Sequence, residues 1–320
     1  MPKKQRKFAD DGWAVWVDGE DTSTVYINDW INPKGKSFVD MAVRVRGISS
    51  CTGLHVYIPF KVSREEIADL SLSFNDTKIL QAIFSTACIV DYMKNEHTSE
   101  VAYNGKTVDI VHISTLNVEI KALDDGTLMN IDISSFKGAL DNDEAYFIWR
   151  MPHKTLDEVF KPCVSVGSML TRLRDLLTTP VISEKYGYSI RINEARLLPE
   201  EITRIGAFHR QKLTKASVTI SVNEDYELND LSCYRIHRLE ERLYDGYLPV
   251  GYKSEDVITY QWQQDREDSY QGHFNFYYNI SKESISRASL FLYMLLLTLI
   301  GVLGNLIASY LWELILDLFS

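Results

Sequence analysis

The chain has 320 residues, 45% of them hydrophobic, with 34 basic and 44 acidic residues and a formal charge of −10. That composition supports a sizeable core and excludes a protein that binds nucleic acid over its whole surface, so any polyanion site must be local. Four cysteines (51, 88, 163 and 233) are scattered without metal-ligand or redox spacing, and read as reduced core residues.

The N-terminal MPKKQRKFADDG is basic and then acidic, with no apolar segment, and so is no secretory signal. From Gly12 to His153 the pattern is mostly β. Met41, Val43 and Val45 alternate with Ala42, Arg44 and Arg46, and Leu54, Val56, Ile58 and Phe60 repeat that period of two. Ser63 and Glu66 form a capping-box pair that predicts a short helix over SREEIADL, and a second helix is expected over residues 76–86. Asn104-Gly105 and Asp125-Gly126 each lie between strand-like runs and predict tight hairpins. EAYFIWRM supplies a closing strand.

Pro152 and the polar residues after it suggest a boundary, giving a β-rich unit over 1–153 and an α+β unit over 154–287. In the second unit Thr155 and Glu158 pair as another capping box, and a longer helix is expected over 167–178. Strands follow at YSIRINEARLL, KASVTISVN, VITYQWQQ and HFNFYYNI, with helical patterns at PEEITRIGAF and LSCYRIHRLEERL. The expected class is α+β, mostly antiparallel, with short helices.

Residues 288–312 contain no formal charge and would make a helix of roughly 37 Å, enough to cross a ~30 Å hydrocarbon core. Lys282 and Arg287 precede this span; Glu313 and Asp317 follow it, in a short outer tail over 313–320. The distribution of positive charge predicts a single-pass protein with its large N-terminal part in the cytoplasm. Gly301, Gly304, Asn305 and Ala308 share one helical face. Small residues there let helices approach, and an asparagine amide can bond across an interface. A homo-oligomer is therefore expected, with a monomeric anchor as the alternative. Glu313 and Asp317 would ring the outer mouth of a symmetric bundle and favour cations.

No phosphate loop, dinucleotide fingerprint, zinc-protease or nucleophile-elbow motif appears, so no catalytic residue, metal or cofactor is assigned. One charge anomaly remains. Between Lys161 and Lys215 ten basic residues face five acids, densest at Arg204, Phe208, His209, Arg210, Lys212 and Lys215. A solvated helix end accounts for such a run. The functional reading is a phosphate-binding patch with an aromatic ring to stack a base.

A β-rich module, a local basic cluster and a C-terminal span with a small-and-polar stripe together resemble the membrane effectors of bacterial anti-phage defence. Within these the layout is similar to the Hailong-type effectors. The likeness is one of architecture, and no family residue transfers to a position here. It implies a membrane-active tetramer governed by a nucleotide or short DNA oligomer, made by a co-encoded enzyme. Two other classes stay open: a binding module with a passive anchor, and a membrane-tethered enzyme without a recognisable motif.

Overall fold

The computed structural model describes residues 8–19, 22–32, 35–84, 87–160, 182–210, 212–228, 233–248, 252–265, 273–284 and 287–319. In chain order the strands are β1 (Phe8–Val17), β2 (Thr22–Ile31), β3 (Phe38–Arg46), β4 (Gly53–Ile58), β5 (Ala68–Asp69), β6 (Cys88–Asp91), β7 (Thr98–Tyr103), β8 (Lys106–Val111) and β9 (Val118–Ala122). They continue with β10 (Thr127–Asp132), β11 (Glu144–Pro152), β12 (Ile182–Ile192), β13 (Lys212–Asn223), β14 (Glu227–Leu228), β15 (Arg235–Arg238), β16 (Val257–Asp265) and β17 (Phe274–Ser284). The helices are α1 (Thr77–Phe84), α2 (Lys154–Val159), α3 (Glu200–Thr203) and α4 (Arg287–Phe319). The chain is therefore α+β and strand-rich, with short helices and one long C-terminal helix.

Contacts divide it into two units. The larger comprises residues 1–161, 186–224 and 228–280, and the smaller residues 162–185, 225–227 and 281–320. A seven-stranded sheet runs β14-β17-β12-β1-β4-β10-β9, and a ten-stranded sheet runs β15-β16-β13-β2-β3-β11-β8-β7-β6, with β5 beside β11. Most pairings are antiparallel. The pairs β1 with β12, β2 with β13 and β8 with β11 are parallel. The first two join strands from either side of Pro152, so the boundary expected near residue 153 does not separate two sheets. Local sequence marks the turn there; the strand partners lie far along the chain.

The ten-stranded sheet obeys the expected alternation. Val25, Ile27 and Ile31 of β2, Val39, Met41, Val43 and Val45 of β3, and Val218, Ile220 and Val222 of β13 are all buried on its inner face. Trp262 of β16 stacks on Tyr278 of β17 across to the other sheet, ring centroids 6.3 Å apart. Burying this many branched side chains, at about 25 cal/mol per Å² of apolar surface, is the main stabilising contribution.

Inside that core sits an ionic network. His153 is fully buried; its Nδ1–H donates to Asp29 Oδ1 (2.9 Å) and its Nε2–H to Tyr188 Oη (2.8 Å). Tyr188 donates in turn to Asp11, and Tyr278 Oη donates to Asp29 Oδ2 (3.1 Å). Burial alone would lower the imidazole's pKa; the Asp29 and Asp11 carboxylates outweigh it and push it up to about 9. The imidazolium is the form that satisfies every partner.

Several elements depart from expectation. The segment after Ser63 makes one 3-10 turn, Arg64–Glu66, with the Ser63 N–H donating to Glu66 Oε2 at 2.9 Å. Helix α2 starts one residue before Thr155, with His153 as its N-cap, so Thr155 does not cap it. Asn104 and Gly105 have φ of 47° and 72°, as the first hairpin requires. At the second hairpin the loop is Asp124-Asp125, closed by Leu123 N–H donating to Gly126 O at 2.9 Å. Gly126 has no positive φ; a Cβ there would overlap the Ile58 carbonyl and the Tyr57 ring. The helix expected over 231–243 is instead β15, followed by turns, because Arg235–Arg238 pair with β16. Tertiary pairing overrides the helical period there. The helix expected over 167–178 lies outside the described residues.

Candidate functional site

The outer face of the ten-stranded sheet carries the residues of opposite parity. Tyr26, Asn28 and Trp30 of β2 lie beside Asp40, Ala42 and Arg44 of β3, and Arg44 and Ala42 pair with Tyr146 and Ile148 of β11. On the other side, Ser217 and Thr219 of β13 pair with Gln263 and Gln261 of β16, and Arg235 and His237 of β15 pair with Gln261 and Thr259.

One end of this face is roofed by a second apolar cluster. Leu70, Phe74, Ile79 and Leu80, with Leu239, Tyr244, Tyr247 and Leu248, pack on Trp30, Ala42, Tyr146 and Ile148. The roof is tied to the sheet through Arg150, which is held in a buried ion pair within the sheet. Arg150 donates from Nε to Asp40 Oδ1 (2.5 Å), from Nη2 to Asp40 Oδ2 (2.7 Å) and from Nη1 to the Tyr247 carbonyl (2.7 Å). Trp30 Nε1 adds a bond to Asp40 Oδ2 at 2.6 Å. The Arg150 guanidinium also lies 5.0 Å from the Tyr247 ring centroid.

Where the roof ends, a groove of about 780 Å³ opens. Its floor is the row of amides and hydroxyls from β2, β13 and β16, and tyrosines 26, 103, 146, 234, 244 and 247 contribute its walls. A concave site with aromatic walls and a few fixed polar groups is the usual form of a small-ligand site. Arg44, Lys215, Arg235 and Arg238 bring positive charge; Asp40 and Glu240 bring negative. Arg44 pairs with Glu144, Lys215 with Asp265 (3.3 Å) and Arg238 with Glu224 (2.6 Å). Burial, and secondarily Arg235, lowers the pKa of His237, favouring its neutral form.

The described members of the expected polyanion cluster do not share one patch. Phe208 is buried, edge-on to Trp16 at 5.8 Å, within a core of Ala14, Tyr57, Leu198 and Ile202, so it cannot stack a base. Arg204 is exposed and pairs with Glu200 one helical turn away. His209 donates from Nε2 to the Thr203 carbonyl at 2.6 Å. Arg210 ends a 3-10 turn and Lys212 begins β13, their side chains outside the described residues. Among the members of the set whose side chains are described, Lys215 reaches the groove. The signal for the groove was present in the polar parity of KASVTISVN and VITYQWQQ, where Ser217, Thr219, Thr259, Gln261 and Gln263 alternate with buried residues.

A second polar array, Asp69–Ser71–His112–Ser99, pairs a histidine with hydroxyls. Ser71 Oγ bonds His112 Nδ1 (2.8 Å) and Asp69 Oδ1 (2.5 Å), and Ser99 Oγ bonds His112 Nε2 (3.0 Å). Ser71, Ser99 and His112 have no exposed surface, which closes the array to any substrate. Among the described residues no His, Cys, Asp or Glu group is arranged to hold a metal ion.

In the smaller unit, α4 includes Leu290–Trp312, 23 residues long and apolar enough to cross a membrane. Gly301, Gly304, Asn305 and Ala308 are exposed on it, and a Cβ at either glycine would meet open space. Glu313 and Asp317 lie on the last turns of the same helix, their side chains outside the described residues.

No family model and no curated protein matches this chain. Among solved structures, the Fcho1 Mu homology domain of Danio rerio with a bound Eps15 peptide aligns over 86% of this chain and 80% of its own, at 8% identity and a TM-score of 0.11. A likeness at that level carries no argument about fold or function.

Proposed function

We propose that this protein is a membrane-anchored, ligand-responsive effector. The larger unit binds a small ligand in the groove on the outer face of its ten-stranded sheet, and α4 helices from several copies associate in the membrane and open a leak. The observation that supports this reading is the pairing of a formed groove with a bare apolar helix in one chain. A helix with Asn305 facing lipid would leave an amide unbonded at a cost of about 1–3 kcal/mol, so helix–helix contact through the Gly301–Ala308 face is favoured. Lys282 and Arg287 before the span orient the larger unit to the cytoplasm of a bacterial inner membrane. A tetramer, a nucleotide or short DNA ligand, a ligand-producing partner enzyme and an anti-phage role belong to this proposal through architectural resemblance. The protein has no catalytic role in it.

The test is dye leakage from liposomes at equal reconstitution. Gly304→Leu forces backbones apart, and Asn305→Leu removes an interhelical bond worth about 1 kcal/mol per helix. Both should reduce leakage, while Leu297→Ala should not. Equal leakage from wild type and both stripe variants would make α4 a plain anchor.

A further inference from the structure

The groove's polar groups are already sorted into donors and acceptors. Ser221 Oγ donates to Asn28 Oδ1 (2.9 Å), which fixes the amide and leaves its NH₂ for a ligand. Gln261 Nε2 donates to Ser217 Oγ (3.1 Å) and Gln263 Nε2 to Asp265 Oδ2 (2.9 Å), so both glutamines keep their carbonyl oxygens. Thr219 adds a hydroxyl that can do either. The floor therefore offers fixed acceptors as well as donors. A phosphate, which at neutral pH mainly accepts, would leave those carbonyls unmatched. An alcohol, which both donates and accepts, would match them.

The charges point the same way. Arg44, Lys215 and Arg238 each sit on a carboxylate, and Arg235 too is already engaged. Asp40 is closed off by Arg150 and Trp30. Half-buried Tyr26, its ring tilted against Tyr146 at 6.1 Å, lines the wall beside the amide row. We infer that the groove recognises an uncharged, hydroxyl-rich ring, a sugar, lying against Tyr26 and bonded to Asn28, Thr219, Gln261 and Gln263. This deepens the groove reading above and rests on it. It departs from the polyanion expected from the basic run at 204–215. The sugar can come from a glycan or from the ribose of a nucleoside.

Calorimetric titration of the full chain, in a detergent without a sugar headgroup, separates these. The probes are maltotriose, adenosine and adenosine monophosphate. At least one neutral probe should bind, and the phosphate should tighten adenosine binding by less than about twofold, with little salt dependence. Gln261→Ala and Gln263→Ala should each weaken the bound probe about fivefold, the worth of one hydrogen bond. Binding of maltotriose alone assigns a glycan, and of adenosine a nucleoside. The inference falls if neither neutral probe binds up to about 10 mM. It also falls if adenosine monophosphate binds more than about tenfold tighter than adenosine, or if folded Gln261→Ala and Gln263→Ala proteins bind as wild type does. These outcomes are read without liposomes, so they stay distinct from failure of the leak.

Discussion

The two faces of the ten-stranded sheet are built from the same strands and do different things. In β13, Val218, Ile220 and Val222 point inward and are fully buried, while Ser217, Thr219 and Ser221 point to the other face with Lys215. The inner face meets the second sheet, as where Trp262 stacks on Tyr278 and Tyr278 bonds Asp29. Among the described residues, α1 and the segment around Leu239–Leu248 cover part of the outer face. Among the described residues, each face holds a buried ion cluster: Asp29 with His153 inside, Asp40 with Arg150 outside. Apolar residues at one parity secure the fold, which frees the other parity to line the groove. The outer ion pair then fixes the edge of the groove.

The largest test of that contrast places one charge on adjacent residues of one strand. Val218→Asp buries a carboxylate without a partner and should cost more than about 4 kcal/mol, enough to prevent folding. Thr219→Asp, one residue on, should stay within about 1 kcal/mol of wild type. Chemical denaturation of both variants checks it, and similar losses would erase the distinction between the faces.

The ion clusters sharpen the comparison. Arg150→Ala leaves Asp40 charged and buried, and should destabilise by about 3–5 kcal/mol. Because Arg150 also holds the Tyr247 carbonyl, hydrogen exchange should rise first in residues 239–248 rather than in β13. Uniform loss of protection would mean that the outer cluster serves the whole sandwich.

A smaller effect is expected from the inner cluster, and it follows pH. The His153 pKa rises on folding from the ordinary 6.5 to about 9, so its stabilisation is fully present below pH 6.5 and is lost as pH rises through about 9. The difference corresponds to of order 3 kcal/mol. Urea midpoints of the wild type should fall across that window, whereas His153→Gln should start lower and show a flatter profile. A wild type with no fall between pH 6.5 and 9 would show that His153 is neutral in the fold.

How much of this was legible differs by element. The period-two runs of β3, β4 and β13, the Asn104-Gly105 hairpin and the apolar stretch within α4 were each readable, since they depend on spacing and side chains within a few residues. The same local reading made a helix of Arg235–Arg238 and a ligand platform of Phe208. Neighbours remote in sequence decided otherwise: β16 recruits the first as an edge strand, and Trp16 buries the second. The parallel partnerships of β1 with β12 and β2 with β13 join residues roughly 180 and 190 positions apart, as in Trp13 beside Ile192 and Ile27 beside Val218. Local composition sets which face of a strand is apolar, but not which strand it will meet. The groove was hidden for that reason, because its floor exists only once β2, β13 and β16 lie side by side.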